Sequence, residues 1–181
     1  MAIDIFLVIP RDPANPPITV AAEADPSVAA MFPDATVIPV ADFELEVDNP
    51  AEVGSAGAGA GKVELSELTV NKFVDKASPS LFSACTSGRH FTSAQLYIRQ
   101  SAGLSASTFL AYEFQTVFIT RIDWSGSTGD ELPAETLTME YAALVIAYKP
   151  TGSASSPAEV AQSGWNRITN TSDVPLALAL K

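Results

Sequence analysis

Apolar and polar residues alternate along much of this chain, and the alternation predicts strands. Residues 2–9 are rich in Ile, Phe, Leu and Val and open the chain as a strand. Over 37–48, Val40, Phe43, Leu45 and Val47 fall largely on one face, with Asp42, Glu44, Glu46 and Asp48 opposite. Residues 62–74 predict another strand, with a change of phase near Ser66-Glu67 that suggests a bulge. Further strands are expected over 93–101, 108–124 and 135–149, separated by turn signals at Ala102-Gly103 and Ser125–Asp130. Residues 174–180 suit a short terminal strand.

Three stretches break the pattern. Residues 10–36 hold most of the prolines of the first 40 residues, and proline is excluded from central strands and helix interiors. That stretch is expected as a proline-rich loop with a helical turn around Ser27–Met31. Residues 53–61 are Gly/Ala/Ser-rich and predict a flexible hairpin loop. Residues 150–163 are also loop-like, with Gly164-Trp165 beginning a last ordered piece.

One helix is written into Asp75–His90. Ser78 is expected to cap it, because its hydroxyl can accept from a free backbone N–H of the first turn. Pro79 then takes the first helical position, where its missing N–H costs nothing. Gly88 suits the left-handed residue after the last turn. Leu81, Phe82 and Cys85 share the face to be buried. So short a helix is unstable alone and must dock on the strands. The expected fold is therefore mainly β, a single domain over 1–181: an antiparallel two-sheet barrel or sandwich with one short docked helix.

Composition narrows the partners. The net charge is −11, which argues against nucleic acid or an anionic membrane surface. No apolar run approaches the ~18 residues of a membrane span. The start of the chain lacks a basic region and Asp4 interrupts its apolar run, so no signal peptide is expected and the chain alone reads as cytoplasmic.

Candidate chemistry fails on inspection. His90 is the only histidine and Cys85 the only cysteine, too few for a zinc site or a triad with an obvious partner. The tract Gly57–Lys62 lacks a glycine at position 56, where Ala56 stands, and the hydroxyl after Lys62, where Val63 stands. It is no phosphate loop. Asp42, Glu44 and Glu46 could serve acid–base work, but such a row is more often the solvated face of a half-buried strand. No catalytic residue, cofactor or metal is assigned. Trp124 and Trp165 are expected to be buried at a sheet edge or interface.

The run from Gly57-Ala58-Gly59-Ala60-Gly61-Lys62 through Phe73-Val74-Asp75-Lys76 to Ser87-Gly88-Arg89-His90 resembles the Hcp family, the haemolysin-coregulated tube proteins of type VI secretion systems. Met1–Leu7, Ala94–Gln100, Leu137–Tyr141 and Gly164–Asn170 fit it in order. Asp75, Lys76, Ser78, Pro79, Cys85, Gly88 and His90 match the helix motif of the family, and Gly164, Trp165 and Asn166 its tail motif. The resemblance implies a β-barrel with a docked helix and no enzymatic activity. It implies homohexameric rings that stack into a tube and carry effectors, with spike and sheath proteins as further partners. Export would use the secretion machine itself, without a signal peptide. It also places 42–47 on a strand facing the lumen, so that Asp42, Glu44 and Glu46 would form an acidic, cargo-facing ring. The loop 10–36 is longer and richer in proline than the family's. Two alternatives stay open: a monomeric or dimeric ligand-binding β-barrel, and a divergent paralogue that forms rings but no working tube.

Overall fold

The computed structural model describes residues 2–11, 24–50, 62–100, 107–150 and 159–180, with the backbone course of 52–54 and 57–59. The strands are β1 Ile3–Pro10, β2 Ala35–Val40, β3 Asp42–Glu44, β4 Val47–Asp48, β5 Glu52–Gly54, β6 Gly57–Gly59, β7 Glu64–Leu65, β8 Leu68–Phe73, β9 His90–Gln100, β10 Ser107–Ser125, β11 Ala134–Glu140, β12 Ala143–Tyr148 and β13 Ala161–Asn166. Two helices, α1 Pro26–Ala29 and α2 Ser78–Ser87, complete the described elements.

Nine strands form one antiparallel sheet that closes on itself. The circuit runs β2-β1-β9-β10-β11-β8-β3. Its ends meet because β2 and β3 are consecutive: the chain bends at Ala41, pairs with β1 before the bend and with β8 after it. Ala41 N donates to Asn71 O at 2.7 Å and joins the two halves to the same neighbour. The expected single strand over 37–48 is thus a bent one that changes partner, ending in the separate short rung β4, which pairs β7.

The expected strand 135–149 is likewise two. β11 and β12 lie end to end along β10, with Phe118 opposite Glu140 and Gln115 opposite Ala143. The break falls beside Thr116, which has a left-handed φ of 53°. Beyond it, β12 continues the wall along β10 and takes β13 as its outer neighbour. The phase change at Ser66-Glu67 separates β7 from β8.

Alternation sorts the side chains into two cores. Leu7, Ile38, Leu68, Val70, Leu96, Phe114, Leu137 and Met139 fill the barrel. The outer face of the β1–β9–β10–β12 wall is apolar too, with Phe6, Val8, Tyr97, Ala111, Val145 and Ala147. It is roofed by Val28 and Phe32 from the α1 region and by Val174 and Leu178. Residues 174–180 are therefore not the expected strand, since they form no ladder. In α1, Asp25 is the cap, and its Oδ1 accepts from Ser27 N at 2.7 Å. The glycine tract forms the β5–β6 hairpin. Of the other expectations, residues 12–23 of the proline-rich loop, the Ala102-Gly103 turn and 151–158 lie outside the described residues.

Candidate functional site

The helix motif is built around a buried ion cluster rather than a cap. Ser78 begins α2, but the cap position is Ala77, without a side-chain cap bond. The Ser78 hydroxyl instead donates to Glu135 Oε2, and accepts from Asp75 N at 3.1 Å and Lys72 Nζ at 3.2 Å. Lys72 Nζ also reaches Asp75 Oδ1 at 3.0 Å and Glu135 Oε2 at 3.2 Å. Asp75 Oδ1 accepts from Ala77 N at 2.8 Å and so satisfies a free donor at the helix start. Lys72 and Glu135 are 2% and 0% exposed. Charges so placed persist only when paired and hydrogen-bonded. The cluster ties α2 to β8 and β11.

Leu81 and Ala84 face the core, and Cys85 packs against it more loosely. Full burial of Leu81 contributes about 1.5–3 kcal/mol. Phe82, expected on the buried face, points outward at 50% exposure and meets the Trp124 ring at 6.0 Å. Trp124 is itself 49% exposed, so it is not buried within the subunit. Gly88 closes the helix in the left-handed region with φ 63°. His90 starts β9 and lies against the Phe118 ring at 5.2 Å. Pro79 sits at the second helical position, and Lys76 is solvent-facing. Among the described residues, no group of three or more His, Cys, Asp or Glu is arranged to hold a metal.

The tail motif has three separate tasks. Gly164 leaves room where a Cβ would come within 3.2 Å of Leu144 O, Val174 and Leu176. Trp165 packs on the barrel core, its buried indole N–H without an acceptor among the described residues, and walls a hollow of about 320 Å³ with Val47, Val63, Leu65, Leu144 and Ile146. Asn166 Oδ1 accepts from Ile168 N at 2.9 Å and Thr169 N at 3.1 Å, turning the chain back. Next to it, Arg167 pairs with Glu140 and lies 4.8 Å over the Tyr141 ring. Burial pushes the Tyr141 phenol up to about 12, with Glu140 adding and Arg167 opposing.

Asp42, Glu44 and Glu46 are all exposed, while Phe43 and Leu45 between them pack against the barrel core. The acids do not stand alone. Asn71 Nδ2 donates to Asp42 Oδ1 at 2.5 Å, and Thr136 Oγ1 donates to Asn71 Oδ1 at 2.6 Å. Thr120 Oγ1 donates to Glu67 Oε1 at 3.2 Å. A largely polar face therefore runs over β3, β8, β11 and the far half of β10, interrupted by the exposed Phe73 and Phe118. Sequence reasoning missed Asn71, Glu67, Thr120 and Thr136. The signal was there in the alternation of β8 and β11, whose inward Leu68, Val70, Leu137 and Met139 leave these polar partners outward.

Residues 33–148 match the family model described as "Type VI secretion system effector, Hcp". This chain belongs to the Hcp family. Among curated proteins it is similar to Protein hcp1 of Pseudomonas aeruginosa, 32% identical over 89 residues, 49% of this chain and 55% of that protein. The chain thus spans little more than half the length of that relative. Among solved structures, one described as a type six secretion system protein superposes with a TM-score of 0.73 at 26% identity, covering 94% of this chain and 99% of the other. Hcp1 from Salmonella typhimurium gives 0.67 at 24%, covering 94% and 98%, a likeness of fold. The mainly β Hcp fold, with its docked helix, is the one expected from the sequence.

Proposed function

We propose that this chain is a structural tube subunit of a type VI secretion system, assembling into homohexameric rings that stack and carry effectors in the lumen. The observation that carries it is the match of both family model and nearly full-length fold to Hcp proteins. Spike and sheath proteins are then its other partners, and it leaves the cytoplasm through the machine itself. The chain acts by binding and enclosure rather than by catalysis. The subunit is asymmetric in a way that suits a ring: one barrel wall keeps a bare polar face, whereas the opposite wall carries its own roof. Ring formation is tested by size-exclusion with light scattering. A particle near six times 19.0 kDa is expected. A monomer or dimer overturns the ring and favours the free ligand-binding barrel; rings that never stack in electron micrographs favour the paralogue.

The acidic strand is the cargo-facing element of this reading. Six copies of Asp42, Glu44 and Glu46 would line the hole with negative charge and select basic cargo. Such attraction is screened over roughly 8 Å at physiological salt. Glu44→Gln with Glu46→Gln leaves the Asp42–Asn71 bond in place and should weaken retention of a basic cargo in pull-downs. Unchanged retention, in rings confirmed intact, sinks the charge selection but not the ring.

A further inference from the structure

Residues 172–180 cross the covered wall of the barrel instead of running along it. At one end Val174 and Leu176 sit over Gly164 on β13. At the other, Tyr97 on β9 donates its hydroxyl to Ala179 O at 3.2 Å. Strands β12 and β10 lie between these two points. A segment lying across strands cannot form a ladder with any of them. Among the described residues its one backbone–backbone bond is local, Val174 N to Ser172 O at 3.0 Å. It is held by side chains. Val174 and Leu178 are buried in the cluster that contains Tyr97, Ala111, Ala143, Val145 and Ala147. Gln162 Nε2 donates to Leu178 O at 3.0 Å. The floor is low where Ala111, Ala143, Ala147 and the side-chain-free Gly164 lie, and this trough ends against Tyr97.

We propose that residues 174–180 are a releasable strap, and that the trough beneath them is a peptide-binding site which the strap fills in cis. The ligand class follows from the occupant. It is an uncharged segment with apolar side chains four residues apart, as Val174 and Leu178 are, whose carbonyls at Leu178 and Ala179 are read by Gln162 and Tyr97. Release is local because the strap shares no ladder with the barrel, and segments held by few contacts open below the global unfolding free energy. The hinge is the exposed pair Ser172-Asp173, just beyond the Asn166–Thr171 bridge. Opening uncovers the apolar face around Tyr97, to which Phe32 of the α1 region is also fixed, its ring 4.8 Å away. The strap therefore guards a surface shared with the start of the chain.

The test is a strap-less variant, lacking 174–181, titrated with a fluorescein-labelled peptide of residues 172–181. Saturable one-to-one binding is expected by anisotropy. Peptide carrying Val174→Asp and Leu178→Asp should not bind. The intact chain should bind the native peptide at least tenfold more weakly, because its own strap competes at an effective concentration of order millimolar. No binding to a folded strap-less variant, or equal binding to both proteins, overturns the proposal. If the shortened chain does not fold, native-state proteolysis of the intact protein decides. Cleavage within 174–180 with little dependence on urea supports a strap that opens by itself. Cleavage with the full urea dependence of global unfolding overturns it.

Discussion

Lys72 Nζ lies 3.2 Å from Glu135 Oε2, across neighbouring strands β8 and β11, and neither side chain has any exposed surface. Removing one partner strands the other as an unpaired buried charge, which costs about 3–5 kcal/mol. Lys72→Met should therefore destabilise by that order, read as a lower urea midpoint with unchanged slope. Lys72→Met with Glu135→Leu should recover part of the loss, because those two charges disappear together while Asp75 still loses its cation. Equal loss in single and double variants would show that shape, not charge, dominates there.

Two left-handed residues make opposite predictions. Gly88 has φ 63° and terminates α2, so Gly88→Ala should cost about 1 kcal/mol although the site has open space for a methyl group. Thr116 has φ 53° but carries a β-branched side chain, so Thr116→Gly should stabilise by roughly 0.5–1 kcal/mol. Thermal melts of the two variants should move in opposite directions.

Alkaline pH should loosen the fold through two phenols. Tyr97 is pushed up to about 12 by burial and by Glu113, and Tyr141 to about 12 mainly by burial. In the unfolded chain both ionise near 10. The folded state thus holds these protons more tightly. Its stability is unaffected below pH 10 and declines as pH rises from 10 through 12. Urea midpoints measured across that window should fall, and Tyr97→Phe with Tyr141→Phe should flatten the decline.

The strand-rich fold was legible because alternation survives in single residues, as in Phe43 and Leu45 inward against Asp42, Glu44 and Glu46 outward. The partner changes at Ala41 and at Tyr141-Ala142 were not, since each strand keeps its alternation while its neighbour changes. Ser78 looked like a cap from its own neighbours, but Glu135, 57 residues away, takes its hydroxyl instead. Helical spacing groups Phe82 with Leu81 and Cys85, but it does not fix which edge of that stripe faces the barrel. Small Ala84 fits under α2, and the larger ring meets Trp124 outside. The stretch 174–180 has apolar residues like a strand, yet nothing local says that it lies crosswise.

The bend at Ala41 has a mechanical consequence. A rolled sheet is ordinarily joined by a seam of hydrogen bonds, which can be unzipped rung by rung from either end. Here one uninterrupted stretch of backbone carries both sides of the seam, pairing β1 before Ala41 and β8 after it. Closure onto β8 then rests on the three rungs of β3 and on the Ala41 N–Asn71 O bond, and the barrel opens there if those few bonds fray. Tension around the girth runs along the backbone at Ala41 and then through that short ladder, the narrowest step of the circuit.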